Sequence, residues 1–432
     1  MTAALSDKRL SRADLSPDQR RVYESMVDWS KHPSGVLTVA GFAGTGKSTL
    51  LGLFAAETDL RVAYICFTGR ASSVLGRKLH AAGVSTTSRS QSDDERRIAG
   101  RWGHLFYSPF DPEARLPFCG TIHRLLYRAV IDNVTEELRG WTKREKLDRP
   151  YDIIVIDEAS MVDAEIVSDI LRHEIPVLAV GDHGQLPPVR GNGSLMANPR
   201  LRLEKIHRQA EGSPIIQLSR IIREEGRLDR SLADGRQLVF GSTRDLQKTL
   251  VEISATPPLD IAFLCWRNQT REYINRSARE YKGYVGQPPQ AGEPIICLRN
   301  YPPVYNGMRG VLTETASYPY DQEWWLMKAR IEFPDEGVEA ADYEVCRDQF
   351  YRHETFKSID ELDAKGIKVY SMSEAGRLMD FGYALTIHKS QGSSFQHTIV
   401  YADWGPNYES EKIRRLAYSA VTRASIKLTV LT

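Results

Sequence analysis

The stretch VLTVAGFAGTGKSTLLGLFAAE, residues 36–57, decides the fold. Its apolar start predicts a buried β-strand, and the run TLLGLFAAE predicts a helix. Between them, GFAGTGKS (41–48) matches the pattern G-x-x-x-x-G-K-[ST], in which glycines let backbone N–H groups surround phosphate oxygens at a helix N-terminus. Because chance produces this match in only about 1–2% of chains of this length, strand, loop and helix together predict a phosphate-binding site.

The pattern also assigns roles to individual side chains. Lys47 is expected to reach the β- and γ-phosphates of a nucleotide, and Ser48 is expected to bind Mg²⁺. The predicted nucleotide-binding residues of this loop are Gly41, Gly44, Thr45, Gly46, Lys47, Ser48 and Thr49.

Polar residues end the later apolar strands. The run YDIIVIDE (151–158) closes on two acids, which are costly to bury unless a cation compensates them. Asp157 is therefore expected to hold Mg²⁺, and Glu158 to orient and deprotonate the attacking water. The next run, IPVLAVGD (175–182), leads to Gln185, which is expected to sense the γ-phosphate or the water. A purely structural turn is the other interpretation of this segment.

Composition sets wider limits. The 432 residues, 41% hydrophobic and 26% charged, predict a globular chain of two or more domains. No apolar run approaches the ~20 residues that cross a bilayer, and the first residues lack the apolar core of a signal peptide. Five scattered cysteines without a CxxC pair predict reduced thiols in the cytoplasm. A net charge of +1 leaves nucleic acid open, because a binding track can be local.

Short apolar runs alternate with helical stretches in both halves of the chain. VAYICFT (62–68) continues the pattern in the first half, and LDIAFLCW (259–266) and FQHTIVYAD (395–403) repeat it in the second. This alternation predicts an α/β fold with parallel sheets. Residues 311–380 differ, because short strand-like pieces broken by charged turns predict a small β-rich insertion.

Nine segments carry a resemblance to one family. They are LSPDQRRVYE (15–24), GFAGTGKST (41–49), CFTGRASSVL (66–75), TIHRLL (121–126), VIDEAS (155–160), GDHGQLPPV (181–189), LEKIHRQ (203–209), GYALTIHKSQGSSF (382–395) and YSAVTRA (418–424). Their order, from about Leu15 to Leu431, resembles that of superfamily 1 helicases of the RecD/Dda type. The length resembles that of the small bacteriophage Dda-type members.

The resemblance implies two RecA-like P-loop lobes. The first would span 1–200, and the second would combine 201–310 with 381–432. Residues 311–380 would form an inserted SH3-like β module, and 128–149 a β-hairpin pin that splits a duplex. Residues 81–119 are longer than the family's usual connection, and no purpose is assigned to them.

Further site residues follow from the same resemblance. Gln19 would contact the adenine, Arg208 and Arg423 would reach the γ-phosphate from the second half, and Gln391 would couple the DNA track to the nucleotide. Trp141 would stack on the last base pair at the pin, or else pack onto the first lobe. The other DNA-contacting residues would be Thr68, Arg70, Thr121, His123, Thr386, His388 and Ser390, although hydroxyls among them could instead cap helices.

The expected function is that of an ATP- and Mg²⁺-dependent DNA helicase that moves 5′ to 3′ on single-stranded DNA in replication, recombination or repair. Its expected partners are single-stranded DNA, single/double-strand junctions, and replication or single-strand-binding proteins. A monomer in bacterial or phage-infected host cytoplasm, with no membrane partner, is expected. Two alternatives stay open: a translocase that removes proteins or remodels intermediates with little unwinding, and a P-loop NTPase without a nucleic acid partner.

Overall fold

A computed structural model describes residues 11–86, 116–131, 138–147, 150–188, 195–204, 212–299, 301, 304, 306–318, 325–336, 338–353, 359–364, 366, 376–405, 408 and 410–432. The chain divides into two compact units. The first comprises Met1–Arg128 and Lys143–Glu211, and the second comprises Ala129–Thr142 and Gly212–Thr432. The predicted site residue Arg208 and positions 87–115 of the expected extra loop lie outside the described residues.

The first unit contains a parallel sheet. The strands up to residue 203 are β1 (Val36–Gly41), β2 (Val62–Cys66), β3 (Phe118–Thr121), β4 (Tyr127–Ile131), β5 (Leu138–Lys143), β6 (Ile153–Asp157), β7 (Val177–Gly181) and β8 (Leu201–Leu203). Six of them form a sheet in the order β3-β2-β6-β7-β1-β8, and all neighbouring pairs are parallel. Strands β2, β6 and β7 are buried along their whole length, as expected where helices cover both faces.

Local signals place the helices of this unit. Ser16 caps the first helix and bonds reciprocally with Gln19, and Pro17 occupies the first helical position, where its missing N–H costs nothing. Thr68 and Thr121 cap two others through their side-chain oxygens. The helices are α1 (Pro17–Lys31), α2 (Lys47–Glu57), α3 (Gly69–Ala81), α4 (Ile122–Leu126) and α5 (Ala164–Leu171).

The edge strand β8 extends the first sheet beyond its predicted end. Leu201 pairs with Val39, and Leu203 pairs with Gly41. The boundary expected at residue 200 therefore falls before a strand of the first sheet. A three-residue strand is too short to produce a readable alternation of apolar and polar residues, which explains the difference.

The second unit contains two sheets. Its strands from residue 238 onward are β9 (Leu238–Gly241), β10 (Ile261–Cys265), β11 (Pro294–Cys297), β12 (Arg309–Leu312), β13 (Leu326–Phe333), β14 (Val338–Cys346), β15 (Met379–Phe381), β16 (Ala384–Thr386), β17 (Phe395–Tyr401) and β18 (Ala424–Leu431). A parallel sheet has the order β16-β10-β17-β18-β9. The accompanying helices are α6 (Pro214–Glu225), α7 (Leu246–Ala255), α8 (Asn268–Tyr281), α9 (Arg347–Arg352), α10 (Ile359–Asp363) and α11 (Glu411–Val421).

The other sheet of the second unit is antiparallel, with the order β14-β13-β12-β11-β15. It runs from Pro294 to Phe381, so it begins before the expected boundary at 311. Strand β11 is buried at all four positions, and a continuous apolar run gives no sign that it belongs to an antiparallel insertion. Its likeness to an SH3 module stays a prediction.

Buried arginines tie the antiparallel sheet to the parallel one. Arg309 in β12 is 1% exposed, and its guanidinium donates to the carbonyl oxygens of Pro258 (2.8 Å), Leu259 (3.3 Å) and Ile261 (3.0 Å). Arg271 in α8 donates to buried Asp380 in β15 at 2.7 Å. Because an unpaired buried charge is costly, these bonds fix the two sheets of this unit against each other.

Strands β4 and β5 form a two-stranded sheet of their own, within the segment 128–149 predicted to be a pin. Trp141 lies in β5, but its side chain is outside the described residues. Among the helices that the structure describes, none combines the length and apolarity needed to cross a bilayer.

Candidate nucleotide site and nucleic-acid interface

The phosphate-binding loop connects β1 to α2. Gly44 and Gly46 have φ values of +80° and +87°, a left-handed conformation that glycine adopts without steric cost. Thr45 between them is fully buried, and its hydroxyl donates to the carbonyl of Phe42 at 2.8 Å. The loop therefore curls back before α2 begins, and α2 directs its first backbone N–H groups toward the same space.

Lys47, the first residue of α2, lies across this loop. Its Nζ donates to the carbonyl oxygens of Gly41 (2.6 Å) and Phe42 (3.1 Å) and lies 3.9 Å from Oδ2 of buried Asp182. A phosphate would offer the ammonium charged acceptors in place of neutral carbonyls, and charge-assisted hydrogen bonds are about twice as strong. The lysine thus needs only a local side-chain movement to meet a phosphate.

Gln19 joins the first helix to the loop. It is 1% exposed; its Nε2 donates to the carbonyl of Thr45 at 3.0 Å, and its Oε1 accepts from the N–H of Ser16 at 3.0 Å. The side chain predicted to contact the adenine therefore braces the phosphate-binding loop.

Two oxygen ligands suited to Mg²⁺ lie at this edge of the sheet. Ser48 Oγ already accepts from the ammonium of Lys78, at 2.7 Å, so a cationic group is bound at the predicted ligand. Asp157 ends β6, is 8% exposed, and accepts from the N–H of Glu158 through Oδ1 at 2.9 Å. A hydroxyl and a carboxylate are hard oxygen donors, which Mg²⁺ prefers in combination with substrate phosphates. The residues present fit this ion.

Glu158 has an unusual backbone conformation. Its φ of +54° and ψ of +40° place it in the left-handed region, which costs a non-glycine residue about 1–3 kcal/mol. The residue lies between the end of β6 and the 3₁₀ turn Ala159–Met161. Strain of this kind concentrates at active sites, so the conformation supports a catalytic role for Glu158.

The turn after β7 faces the loop. The fully buried carboxylate of Asp182 accepts from the N–H of Gly184 (2.9 Å) and from Nε2 of Gln185 (3.4 Å). The rings of His183 and Phe42 have centroids 4.1 Å apart. Asp182 therefore links the predicted sensor Gln185 to the neighbourhood of Lys47.

Residues predicted to contact DNA occupy the other end of the same sheet edge. Cys66 at the end of β2 pairs with both Thr121 on β3 and Asp157 on β6. Thr68 Oγ1 accepts from the N–H of Ala71, and Thr121 Oγ1 from that of Arg124. The alternative role as helix caps is thus real, yet a capping hydroxyl keeps its hydrogen and can donate it to a phosphate.

The two other predicted residues at this end differ in exposure. His123 is exposed and stacks on Tyr127, with ring centroids 5.3 Å apart. Arg70 is 6% exposed, so its guanidinium is largely covered by protein.

The segment GYALTIHKSQGSSF (382–395), called motif V below, belongs to the second unit, and its predicted DNA contacts begin at Thr386, the last residue of β16. Ser390 is fully buried, and its hydroxyl donates to the carbonyl of Ile387 at 2.8 Å, so a phosphate here would have to be met by other groups. Thr386 is 7% exposed. Burial lowers the pKa of half-buried His388, and nearby Lys412 lowers it further. Gln391 is 7% exposed, and among the described residues its Nε2 has no hydrogen-bond partner.

Arg423 is buried within the second unit. Its guanidinium donates from Nη1 to the carbonyl of Ser393 (3.0 Å) and from Nε to that of Ser419 (3.1 Å). These bonds hold it beside the loop that follows Gln391. Its predicted partner Arg208 lies outside the described residues.

Comparison with known families identifies the chain. A family model described as an AAA domain matches residues 14–237, more than half of the 432 residues. The chain belongs to the AAA domain family. A model described as a UvrD-like helicase C-terminal domain matches residues 381–431. These two matches, one in each half of the chain, agree with the resemblance to superfamily 1 helicases of the RecD/Dda type.

One curated relative is the ATP-dependent RecD2 DNA helicase of Deinococcus radiodurans. It is 29% identical over 217 residues, which cover 48% of this chain and 24% of the relative. The chain therefore spans only about a quarter of that relative's length.

Solved helicase structures share the fold. A Pif1 helicase from Bacteroides in complex with ADP-AlF3 and ssDNA superposes with a TM-score of 0.50, at 18% identity, over 96% of this chain and 92% of that chain. A structure of two coordinating Pif1 helicases on forked dsDNA gives a TM-score of 0.50, at 17% identity, over 97% and 92%. These likenesses confirm the α/β fold with RecA-like parallel sheets.

Two residues near the AAA-type nucleotide site escaped sequence reasoning. Asp182 is an acid that ends a buried strand, the same signal that identified Asp157, so it could have been found. Lys78 could not, because its contact with Ser48 arises from the packing of α3 against α2.

Proposed function

We propose that this chain is an ATP-dependent DNA helicase that translocates on single-stranded DNA, 5′ to 3′, and unwinds duplexes. One observation carries the proposal: a single sheet edge holds the residues predicted to bind nucleotide, at β1, β6 and β7, and the predicted DNA contacts at β2 and β3. The register of Cys66 with both Thr121 and Asp157 makes the two groups direct neighbours. A change at the bound nucleotide can therefore reach the bound DNA through the adjacent ends of β2, β3 and β6.

The chemistry is phosphoryl transfer to water. Lys47 neutralises the β- and γ-phosphates, and Glu158 orients the attacking water and accepts its proton, while Gln185 holds the water or the γ-phosphate. Ser48 and Asp157 would hold Mg²⁺, which would supply charge stabilisation for the transferring group. Lys78 must leave Ser48 for this, and its long side chain allows it to do so.

Coupling to motion requires the second half of the chain. Arg208 and Arg423 supply positive charge to the γ-phosphate when ATP is bound, and Gln391 links that phosphate to motif V. ATP then favours one arrangement of the lobes and hydrolysis the other, which is a population shift driven by differential contacts. Grip on the DNA strand alternates between Thr68, Arg70, Thr121 and His123 on one side and Thr386, His388 and Gln391 on the other.

Duplex separation is assigned to the sheet β4–β5, with Trp141 stacking on the last base pair. The antiparallel sheet from Pro294 to Phe381 serves as the clamp. The enzyme acts as a monomer in bacterial or phage-infected cytoplasm, on single/double-strand junctions in replication, recombination or repair, with single-strand-binding or replication proteins as partners.

The test combines two assays on the same preparation. ATP hydrolysis is measured with and without oligo-dT, and strand displacement is measured on duplexes with a 5′ or a 3′ single-stranded tail, with Lys47→Ala as the inactive control. The proposal predicts stimulation by oligo-dT and displacement only of the 5′-tailed duplex. Stimulation without displacement would indicate the protein-removing translocase, and hydrolysis indifferent to oligo-dT would indicate an NTPase without a nucleic acid partner.

A further inference from the structure

The carboxyl edge of the second unit's parallel sheet carries a group of residues outside the family motifs. Cys265 at the end of β10 pairs with Thr386 at the end of β16, so the next residue, Trp266, lies beside the part of motif V that follows Thr386. Asp403, two residues after β17, accepts the backbone N–H groups of Trp266 (2.8 Å) and Arg267 (3.0 Å). The turn that follows β10 is therefore held in place by two hydrogen bonds.

Two cations rest on the indole of Trp266. The guanidinium carbon of Arg267 lies 5.5 Å from the ring centroid, and Nζ of Lys412 lies 5.2 Å from it. Each such contact contributes about 0.5–1 kcal/mol at an exposed site. Arg267 and Lys412 are exposed, and Trp266 is half-buried, so the ring holds together two charged groups that repel each other. Trp266, Arg267 and Lys412 are called the cationic ledge.

The described carboxylates nearest the ledge form no ion pair with its cations. Glu411 pairs with Arg415 at 2.7 Å, and Asp403 directs its oxygens to backbone N–H groups. Within the part of the chain that the structure describes, neither Arg267 nor Lys412 has an ion-pair partner. Lys412 also occupies the second position of α11, where the positive end of the helix disfavours a cation. An anion bound here would relieve both repulsions.

We propose that the cationic ledge binds the sugar-phosphate backbone of single-stranded DNA. The inference rests on the proposed function and adds Trp266, Arg267 and Lys412 to its DNA-binding residues. Phosphates of one strand are the anions that a translocating chain meets continuously, and they are the same in every sequence. The proximity of the ledge to motif V places these contacts on the path already assigned to that motif.

The indole of Trp266 positions the two cations and does not stack on a base. Its ring is engaged by two cations, so a base could stack on it only by displacing one of them. Trp266→Phe, which keeps an aromatic face, should therefore preserve most of the affinity, whereas Trp266→Ala should lose more of it because both cations lose their support.

The experiment measures binding of labelled oligo-dT to the full chain by fluorescence anisotropy over a series of salt concentrations. Each cation removed should reduce the slope of log K against log [salt] by about 0.7, and the Arg267→Ala/Lys412→Ala double variant should reduce it by about 1.4. Lys248→Ala is the control for removing an exposed lysine outside the ledge, because Lys248 is 83% exposed, lies in α7 and pairs with Asp245 at 2.8 Å; its slope should equal that of the wild type. Melting temperatures verify that each variant is folded.

A folded double variant with the wild-type slope would overturn the inference while leaving the proposed function intact. Wild-type protein that fails to bind oligo-dT at any salt concentration would overturn both. As a second readout, oligo-dT with neutral methylphosphonate linkages should lower the wild-type slope more than that of the double variant. An equal reduction in the two proteins would contradict phosphate contacts at the ledge.

Discussion

Replacing Gly41 with alanine should damage the nucleotide site without removing any of its functional groups. A Cβ at this position would lie 2.5 Å from Oγ1 of Thr45, 3.0 Å from Cβ of Leu203 and 3.2 Å from Cγ of Lys47. Thr45 is fully buried and its hydroxyl is bonded to the Phe42 carbonyl, and the Cβ of Leu203 is fixed by β8. The loop or the lysine must therefore move.

Overpacking of this kind costs about 1–3 kcal/mol, which corresponds to a decrease in melting temperature of roughly 2–12 °C for a unit of this size. If the shifted Lys47 loses one charge-assisted bond to phosphate, worth about 1.5–3 kcal/mol, the ATP affinity falls roughly 10- to 100-fold. The assay is a thermal melt with and without Mg²⁺-ATP, together with the steady-state ATPase rate.

Gly52→Ala is the matched control in the same βα unit. Its added Cβ would meet Cβ of Ala82 at 3.5 Å, an ordinary contact, and alanine is favoured over glycine in a helix by about 0.5–1 kcal/mol. This variant should melt slightly higher and hydrolyse ATP normally. The reasoning about the loop is refuted if the two variants show the same stability and the same ATP-induced shift.

Three further changes have distinct expected outcomes. Glu158→Gln should retain ATP binding but slow single-turnover hydrolysis about 10²–10⁴-fold; an unchanged rate would rule out the role in activating water. Burial lowers the pKa of His397 from 6.5 to about 4, so the fold favours neutral imidazole, and the stability present above pH 6.5 should decrease as the pH falls toward 4. His397→Asn should flatten the plot of melting temperature against pH between pH 6.5 and 4. An equally steep plot in the variant would argue against a contribution of His397. Trp141→Ala should reduce strand displacement more than DNA-stimulated ATP hydrolysis, since stacking contributes about 1–3 kcal/mol per base; equal losses would remove the pin role.

The central strands of the first sheet were predictable because they are buried on both faces. Ile153–Asp157 and Val177–Gly181 are apolar up to their last residues, and such runs stand out in a sequence. Edge strand β8 has three residues of mixed polarity, so its extended conformation depends on pairing with β1 and could not be predicted from its own sequence pattern. Strand β11 resembles a buried parallel strand in sequence, so its apolar run alone does not assign it to the antiparallel sheet.

The fold of the loop from Gly41 to Ser48 was predictable because its geometry is local. The loop from Gly41 to Ser48 needs only its own glycines and the helix that follows, so the motif suffices. Contacts between segments far apart in the sequence could not be predicted from local patterns. Lys78 in α3 contacts Ser48 in α2, and Lys412 contacts Trp266, which lies 146 positions earlier in the chain. The roles of Arg208 and Arg423 depend on both halves of the chain together, so they stay predictions.

The most direct test of the central claim is an experimental structure of the chain bound to Mg²⁺, ADP-aluminium fluoride and oligo-dT. The account predicts Lys47 on one side of the fluoride group that mimics the γ-phosphate, with the guanidinium groups of Arg208 and Arg423 within hydrogen-bonding distance on the other. A nucleotide-bound complex in which both arginines point away from the fluoride would contradict it.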